Sequence, residues 1–231
     1  MIIGLVGFIG SGKGSAADFL VEKHGYIKES FANGVKDATA SIFGWDRTKL
    51  EGDTIQSRAW REEPDTFWSK RMGYPFSPRQ ALQMMGTEAG RDVFHKDLWI
   101  YSMERRLHLS KNYVIADVRF PNEIDMISKL GGVIVWVRRG NLPEWYSTAH
   151  KENTTDHYEQ WLLHDAHLTM AQKYPDIHYS EWAWIGSHYD ISLDNNGTLD
   201  ELRRQVDKLA GTVYNIPLVV EGNDEVHNET E

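Results

Sequence analysis

Five short apolar runs punctuate the chain, at residues 2–6, 26–30, 113–116, 133–137 and 189–193. Apolar runs of this length, bounded by turn-forming positions, predict buried parallel strands, because a strand covered on both faces has no polar side to alternate. Between them lie helical patterns, for example at 15–23 and 122–130. Strands alternating with helices predict an α/β fold with a doubly wound sheet of about five parallel strands. Gly131-Gly132 ends one helix and delivers the chain to the next strand. Asn195-Asn196-Gly197 reads as a turn. Thr198 then caps a helix running to about Leu209, with Glu201 three residues on completing a capping box.

Two stretches exceed minimal alternation. The first, from Gly44 to His108, holds Trp60-Arg61-Glu62-Glu63-Pro64-Asp65, then a helical pattern opened by Pro78 and another from about Asp97. The second, from Arg138 to Trp184, is polar and rich in Trp and His. Insertions at the carboxyl ends of strands are where such folds build substrate sites and lids. One domain is therefore expected over 1–220. Its core lies in 1–43, 110–138 and 186–215, with a helical insertion at about 44–109 and a lid or insertion at about 139–185. The tail, 221–231, carries five acidic residues in eleven and reads as disordered.

Composition narrows the function classes. The formal net charge is −9, from 25 Lys and Arg against 34 Asp and Glu. That argues against a protein whose work is coating nucleic acid, which needs a basic surface to release counterions. Local basic pockets remain compatible with it. The chain has no cysteine, which excludes disulfides, thiolate metal sites and a cysteine nucleophile. No apolar run approaches the ~20 residues that span a bilayer. The apolar start lacks a basic leader and breaks at Gly7 and Gly10, so it reads as a first strand, and the cytoplasm is the expected location.

The strongest chemical signal is Gly7-Phe8-Ile9-Gly10-Ser11-Gly12-Lys13-Gly14-Ser15, a Gly-x-x-x-x-Gly-Lys loop placed after an apolar strand and before a helix. Its glycines let backbone N–H groups converge on phosphate oxygens, and the helix N-terminus adds partial positive charge. Gly10, Ser11, Gly12, Lys13, Gly14 and Ser15 are the candidate nucleotide-binding residues, with Lys13 reaching the β- and γ-phosphates. The hydroxyl that usually follows the lysine and ligates Mg²⁺ is displaced by one, to Ser15, as in nucleoside monophosphate kinases. Ser15 is thus a candidate for phosphate contact or for holding Mg²⁺ through water.

A second signal is Val114-Ile115-Ala116-Asp117-Val118-Arg119-Phe120-Pro121-Asn122-Glu123. A carboxylate at the end of an apolar strand is how P-loop enzymes hold the metal's water shell, so Asp117 is the candidate for that role. The plainer reading is a turn or N-cap aspartate. Arg119 suits an acceptor phosphate or a surface ion pair. Lys36, in a loop leading into a helix after the second strand, Arg79 near a helix start, and Arg91 after Gly86-Thr87-Glu88-Ala89-Gly90 are each candidate anion contacts or solvated helix charges. Arg138-Arg139 closes the fourth strand, where a lid arginine belongs. Histidines 150, 157, 164, 167, 178 and 188 sit in no ligand motif of known spacing and read as surface or packing residues. The tryptophans read as packing, with Trp99 a candidate base contact.

With these residues in view, the chain resembles the phage-type deoxynucleoside monophosphate kinases over most of 1–210. The matching pieces include Gly10-Ser11-Gly12-Lys13, Ala32-Asn33-Gly34-Val35-Lys36-Asp37-Ala38, Arg58-Ala59-Trp60-Arg61-Glu62-Glu63-Pro64-Asp65 and Pro78-Arg79-Gln80-Ala81-Leu82-Gln83-Met84-Met85-Gly86-Thr87-Glu88. They continue with Arg91-Asp92, Trp99, Asp117-Val118-Arg119-Phe120-Pro121-Asn122-Glu123 and His178-Tyr179-Ser180-Glu181. The resemblance implies Mg²⁺-dependent transfer of the ATP γ-phosphoryl group to a deoxynucleoside 5′-monophosphate (dNMP). It implies catalytic roles for Lys13, Arg119, Arg138 and Arg139, substrate contacts at Val35, Lys36, Arg79, Gln83, Arg91, Trp99 and Asp117, and metal contacts at Ser15 and Asp117. Family members are often homodimers. Two other readings stand beside it: a P-loop kinase of another small acceptor, and a non-catalytic nucleotide-binding protein.

Overall fold

Burial on both faces draws the apolar runs into a single sheet. The structure, a computed structural model, describes residues 1–108, 110–155 and 169–213. Strands β1 (Ile2–Val6), β2 (Ile27–Glu29), β3 (Tyr113–Ile115), β4 (Val133–Arg138) and β5 (Ile191–Asp194) are all parallel, in the order β2-β3-β1-β4-β5. β1 is central, pairing Ile3 with Val114 of β3 and Leu5 with Val135 of β4. The strand period of two then divides the core. Ile3, Leu5, Val114, Val135 and Val137 face one layer, with Leu20 of helix α1 (Lys13–His24) and Leu202, Val206 and Leu209 of α10 (Leu199–Val213). Val6, Ile115, Ile134 and Trp136 face the other, with Ile124 and Ile127 of α7 (Pro121–Lys129) and Met103 of α6 (Leu98–Arg106).

The expected strands all form, but β2 is not buried. It is an edge strand with one neighbour, and Ile27 is 39% exposed. The terminal helix forms as expected, with Thr198 and Glu201 bonding reciprocally.

The first insertion is helical throughout. After α2 (Ala32–Phe43) it runs through a 3₁₀ turn (Arg47–Leu50), α3 (Ile55–Glu62), α4 (Thr66–Met72), α5 (Pro78–Met84) and a π-helix (Met85–Phe94) before α6. Local sequence sets the starts: the side chains of Thr54, Asp65 and Ser77 accept from the backbone N–H groups of Ser57, Trp68 and Gln80. Lys36, expected in a loop, lies inside α2. Gly34 permits this, because an added Cβ would press on Ser102, Arg106 and Trp99 of α6. Trp99 also accounts for Gly90 of the π-helix, where its ring lies in the place of a Cβ, and its indole N–H donates to the Gly86 carbonyl at 2.9 Å. Phe43, Trp45, Trp60, Trp68 and Phe76 form a separate aromatic cluster under this insertion.

The described part of the second insertion packs onto the core. Its helix α8 (Tyr146–Thr154) buries Ala149 fully, and Trp145 and Tyr146 pack edge-on against Phe8 of the glycine loop. Asn153 donates to the carbonyls of Trp182 and Ile185 at 3.0 and 2.7 Å. Aromatic packing therefore sews this stretch to the core, up to the short α9 (Met170–Lys173), whose Met170 N–H is held by Glu152 at 2.6 Å. The middle of the expected lid, Trp161, histidines 157, 164 and 167, and the acidic tail 221–231 lie outside the described residues.

Ile134 is fully buried against Gly4 and the α7 face. Ile134→Ala is expected to lower the unfolding free energy by about 2–5 kcal/mol, read from urea transitions, because the close-packed sheet cannot collapse into the void.

Candidate active site

The site lies where β1, β3 and β4 end. Gly7, Gly10 and Gly12 take φ of 144°, 78° and 100°, a region L side chains rarely enter, so the turn from β1 into α1 needs glycine at these positions. Asn195, beyond β5, donates from Nδ2 to the Ser11 carbonyl at 2.8 Å and lies against Gly12 where a Cβ would point. Its backbone N–H donates to the Arg138 carbonyl at 2.8 Å, and Asn196 Oδ1 accepts from the Gly140 N–H at 2.7 Å. The turn read after β5 is thus a clasp joining the glycine loop to the end of β4. The first turn of α1 carries no acidic residue, which leaves its N-terminal partial charge uncancelled.

Lys13 folds back over this loop, donating to the carbonyls of Gly7 and Phe8 at 2.5 and 3.0 Å. Burial, reinforced by repulsion from Arg119 and opposed by Glu181, pushes its ammonium down to about 8. Ser11 Oγ is buried without a hydrogen-bond partner.

Asp117 follows β3. Its Oδ2 accepts from Ser30 Oγ at 2.6 Å, while Oδ1 is buried without a partner. Two residues on, Arg119 Nη1 bonds Glu181 Oε1 at 2.5 Å and Ser180 Oγ at 3.2 Å. The turn between them is held by Glu123, which accepts from the backbone N–H groups of Arg119 and Phe120 at 2.8 and 3.2 Å. Glu123 is 3% exposed, and burial drives its carboxyl up to about 8, with Asp117 pushing the same way against the two N–H bonds and Arg91. Arg91, on the π-helix, lays its guanidinium 5.1 Å from the Phe120 ring centre.

A second charged cluster lies on the helical insertion. Lys36 pairs with Glu51 at 2.6 Å, and Arg47 bridges Asp37 and Glu51. Arg79 pairs with Glu62 at 2.8 Å. Arg61 stands beside Arg79, its Nε buried without a partner, and burial followed by repulsion from Arg79 lowers its pKa. Helix α2 connects the clusters: the Ala32 N–H points at Asp117 Oδ2 at 3.4 Å, and Lys36 follows one turn later.

The structure thus brings Lys13, Ser15, Asp117, Arg119 and Arg91 to the strand ends, and places Lys36 and Arg79 in the second cluster. Val35 packs on Gly86, and Gln83 is exposed on α5. Trp99 is 8% exposed and offers little ring face. Arg138 and Arg139 are exposed, the Arg138 guanidinium lying 4.9 Å from the Trp136 ring centre. His178 caps the turn at Tyr179–Glu181, and His188 pairs with Asp190 at 3.1 Å. Among the described residues no group of three or more His, Asp or Glu gathers as a metal cage. Ser30, Arg61, Glu123, Glu181 and Asn195 also belong to this arrangement, though the sequence pattern alone does not mark them as site residues. Three of them stood inside family-specific blocks, and that was the available signal.

A parallel sheet of this order, with a lysine-bearing glycine loop between its central strand and a helix, is the scaffold of P-loop phosphotransferases. No family model matches the chain. A protein of Acanthamoeba polyphaga mimivirus named "Putative deoxynucleotide monophosphate kinase" is 34% identical over 220 residues, 89% of this chain and 94% of that one. The deoxynucleoside-5′-monophosphate kinase of Escherichia phage T5 is 42% identical over 53 residues, 22% of this chain and 21% of its own. The chain belongs to the deoxynucleotide monophosphate kinase family. Among solved structures, the shikimate kinase of Aquifex aeolicus matches with a TM-score of 0.37 at 11% identity, over 93% of this chain and 99% of that one. The dephospho-CoA kinase of Campylobacter jejuni matches with 0.33 at 12%, over 92% and 96%. These likenesses are too distant to specify an acceptor.

Glu123 sets a pH dependence. A carboxyl raised from 4.5 to about 8 lets the folded chain keep a proton that the unfolded chain has released. Its contribution is fully present below pH 4.5 and is lost as pH rises through about 8. Stability is expected to fall across that window by at most about 1.4 kcal/mol per pH unit from this group. Glu123→Gln, neutral throughout, should flatten the decline in urea unfolding measured at a series of pH values.

Proposed function

We propose that the protein transfers the γ-phosphoryl group of ATP to a deoxynucleoside 5′-monophosphate, giving the deoxynucleoside diphosphate and ADP. The observation that carries this reading is a glycine loop whose Lys13 lies within electrostatic reach of Arg119, in a chain alignable with a family relative over nearly its whole length. The nucleophile is a phosphate oxygen that is already anionic, so the protein's task is to bring two anions together, neutralise them and exclude water. That requirement explains a site of lysine, arginines and backbone N–H groups.

In this reading the N–H groups of Gly10, Ser11, Gly12, Gly14 and Ser15 receive the donor phosphates. Lys13 exchanges its carbonyl partners for phosphate oxygens, and the buried ammonium gains most where water is excluded. Arg119 serves the transferring group or the acceptor phosphate. Arg91 sits one ring away and supports the same region. Lys36 and Arg79, with Val35, Gln83 and Trp99 along the same wall, form the acceptor side. Arg138 and Arg139 border the glycine loop through the Asn195 clasp and supply positive charge at its rim.

The donor set suits Mg²⁺: a carboxylate and a hydroxyl, both hard oxygen ligands, with Asp117 Oδ1 buried and unpartnered. Asp117 and Ser15 would hold the ion through its water shell. Bound there, Mg²⁺ would supply charge neutralisation on the donor phosphates. Among the described residues no helix is long and apolar enough to cross a membrane. The net charge of −9 favours free nucleotides over nucleic acid as substrate, and a cytoplasmic location is part of the proposal. A homodimer is part of the proposal, by family likeness.

The test is ADP release with ATP and each deoxy- and ribonucleoside monophosphate in turn. Release that depends on a deoxynucleotide supports the reading. ATP binding without any acceptor-dependent release overturns it. Lys13→Ala is expected to lower turnover by about 10²-fold or more while the thermal melt stays in place, because the lost contact acts chiefly in the transition state. Near-normal turnover in the folded variant would remove the glycine loop from the mechanism.

Hydrogen exchange over residues 145–154 separates a fixed wall from a moving lid. The packing of α8 predicts equal protection with and without a two-substrate analogue.

A further inference from the structure

The carboxylate on Arg119 has no place in the scheme above. It belongs to Glu181, in a 3₁₀ turn (Tyr179–Glu181) of the second insertion, and its oxygen takes a guanidinium that the transfer reaction requires.

The turn carrying Glu181 is rigid. The Glu181 N–H donates to the His178 carbonyl at 2.9 Å, and the Glu181 carbonyl accepts from the Trp184 indole at 3.1 Å. His178 Nδ1 accepts from the Ser180 N–H at 3.2 Å. The four residues that follow, Trp182 to Ile185, are all buried, and Asn153 bonds their carbonyls. The arginine is held differently. Its backbone is fixed by Glu123, but its side chain is 44% exposed against 25% for Glu181. The movable member of the pair is therefore the guanidinium. Both partners lie within electrostatic reach of Lys13, Arg119 repelling its ammonium and Glu181 attracting it. A carboxylate and a phosphate present the same pair of oxygens to a guanidinium fork. An ion pair this exposed is screened and readily exchanged.

We propose that Glu181 is a substitute ligand: it holds the Arg119 guanidinium beside the glycine loop until a substrate phosphate takes the carboxylate's place. The inference rests on the reading of Arg119 as a phosphate contact. Glu181 is a positioning residue, acting through Arg119. It keeps the transfer site one cation short while the phosphate is absent, which raises the cost of seating the donor and restrains loss of the γ-phosphoryl group to water.

The test is a double-mutant cycle read by titration of a non-hydrolysable ATP analogue in magnesium buffer, with acceptor-free ATP hydrolysis as a second measurement. Glu181→Gln is expected to tighten analogue binding threefold or more and to raise acceptor-free hydrolysis several-fold. Glu181→Asp keeps the charge but falls one methylene short of Arg119 on its fixed turn, and should behave like Glu181→Gln. In an Arg119→Ala background, Glu181→Gln should change neither readout. Three results overturn the proposal alone: Glu181→Asp behaving as wild type while Glu181→Gln tightens, which is a diffuse charge effect; an undiminished Glu181→Gln effect without Arg119; or weaker binding in both Glu181 variants. If Arg119→Ala itself leaves analogue affinity and acceptor-dependent turnover unchanged, the phosphate role of Arg119 fails and the substitute-ligand role falls with it.

Discussion

Everything at the strand ends depends on keeping a lysine ammonium out of water with no carboxylate bonded to it. Lys13 leans on two main-chain carbonyls of its own loop. Burial first, and then repulsion from Arg119, pull its pKa down to about 8 against the attraction of Glu181. A cation held this way is poorly satisfied, and a polyphosphate is the partner that satisfies it best. The cost of the arrangement is met by the sheet. β1 is buried along its length between β3 and β4, which fixes the start of the loop.

Three unrelated contacts hold that loop in place. Phe8 is wedged among Trp145, Tyr146 and Trp184 of the second insertion. The Ser11 carbonyl is fastened by Asn195 from beyond β5. α1 is packed by Leu20 into the layer it shares with α10. The same second insertion delivers Glu181 to Arg119. One segment therefore both braces the phosphate loop and supplies the counter-charge to its neighbouring arginine, so that packing and electrostatics at this site cannot be varied independently.

Asp117 and Glu123 show how two carboxylates six positions apart come to play different parts. Asp117 lies in the turn after β3, and Glu123 in the first turn of α7. Asp117 keeps a hydroxyl partner and leaves one buried oxygen uncommitted. Glu123 is enclosed at the start of α7 and spends its carboxylate on two backbone N–H groups. The first is arranged to meet an incoming charge, the second to shape the turn that presents Arg119.

The sequence by itself determined the sheet, the glycine loop and the family. Apolar runs of strand length, the Gly-x-x-x-x-Gly-Lys spacing and the blocks around Arg79 and Asp117 are local features, and local pattern suffices to read them. Tertiary structure decided the rest. That Lys36 lies within a helix follows from Gly34 meeting α6. That Trp99 is a buried brace follows from its fit against Gly90 and its bond to the Gly86 carbonyl. That the described part of the second insertion is a packed wall follows from aromatic contacts between residues well over a hundred positions apart in the chain. The partners of Arg119 and Asn195 likewise sit 62 and 184 residues away, separations that no periodicity encodes. Side-chain pairing at such distances is set by where the sheet order places the strand ends, and only the folded chain carries that information.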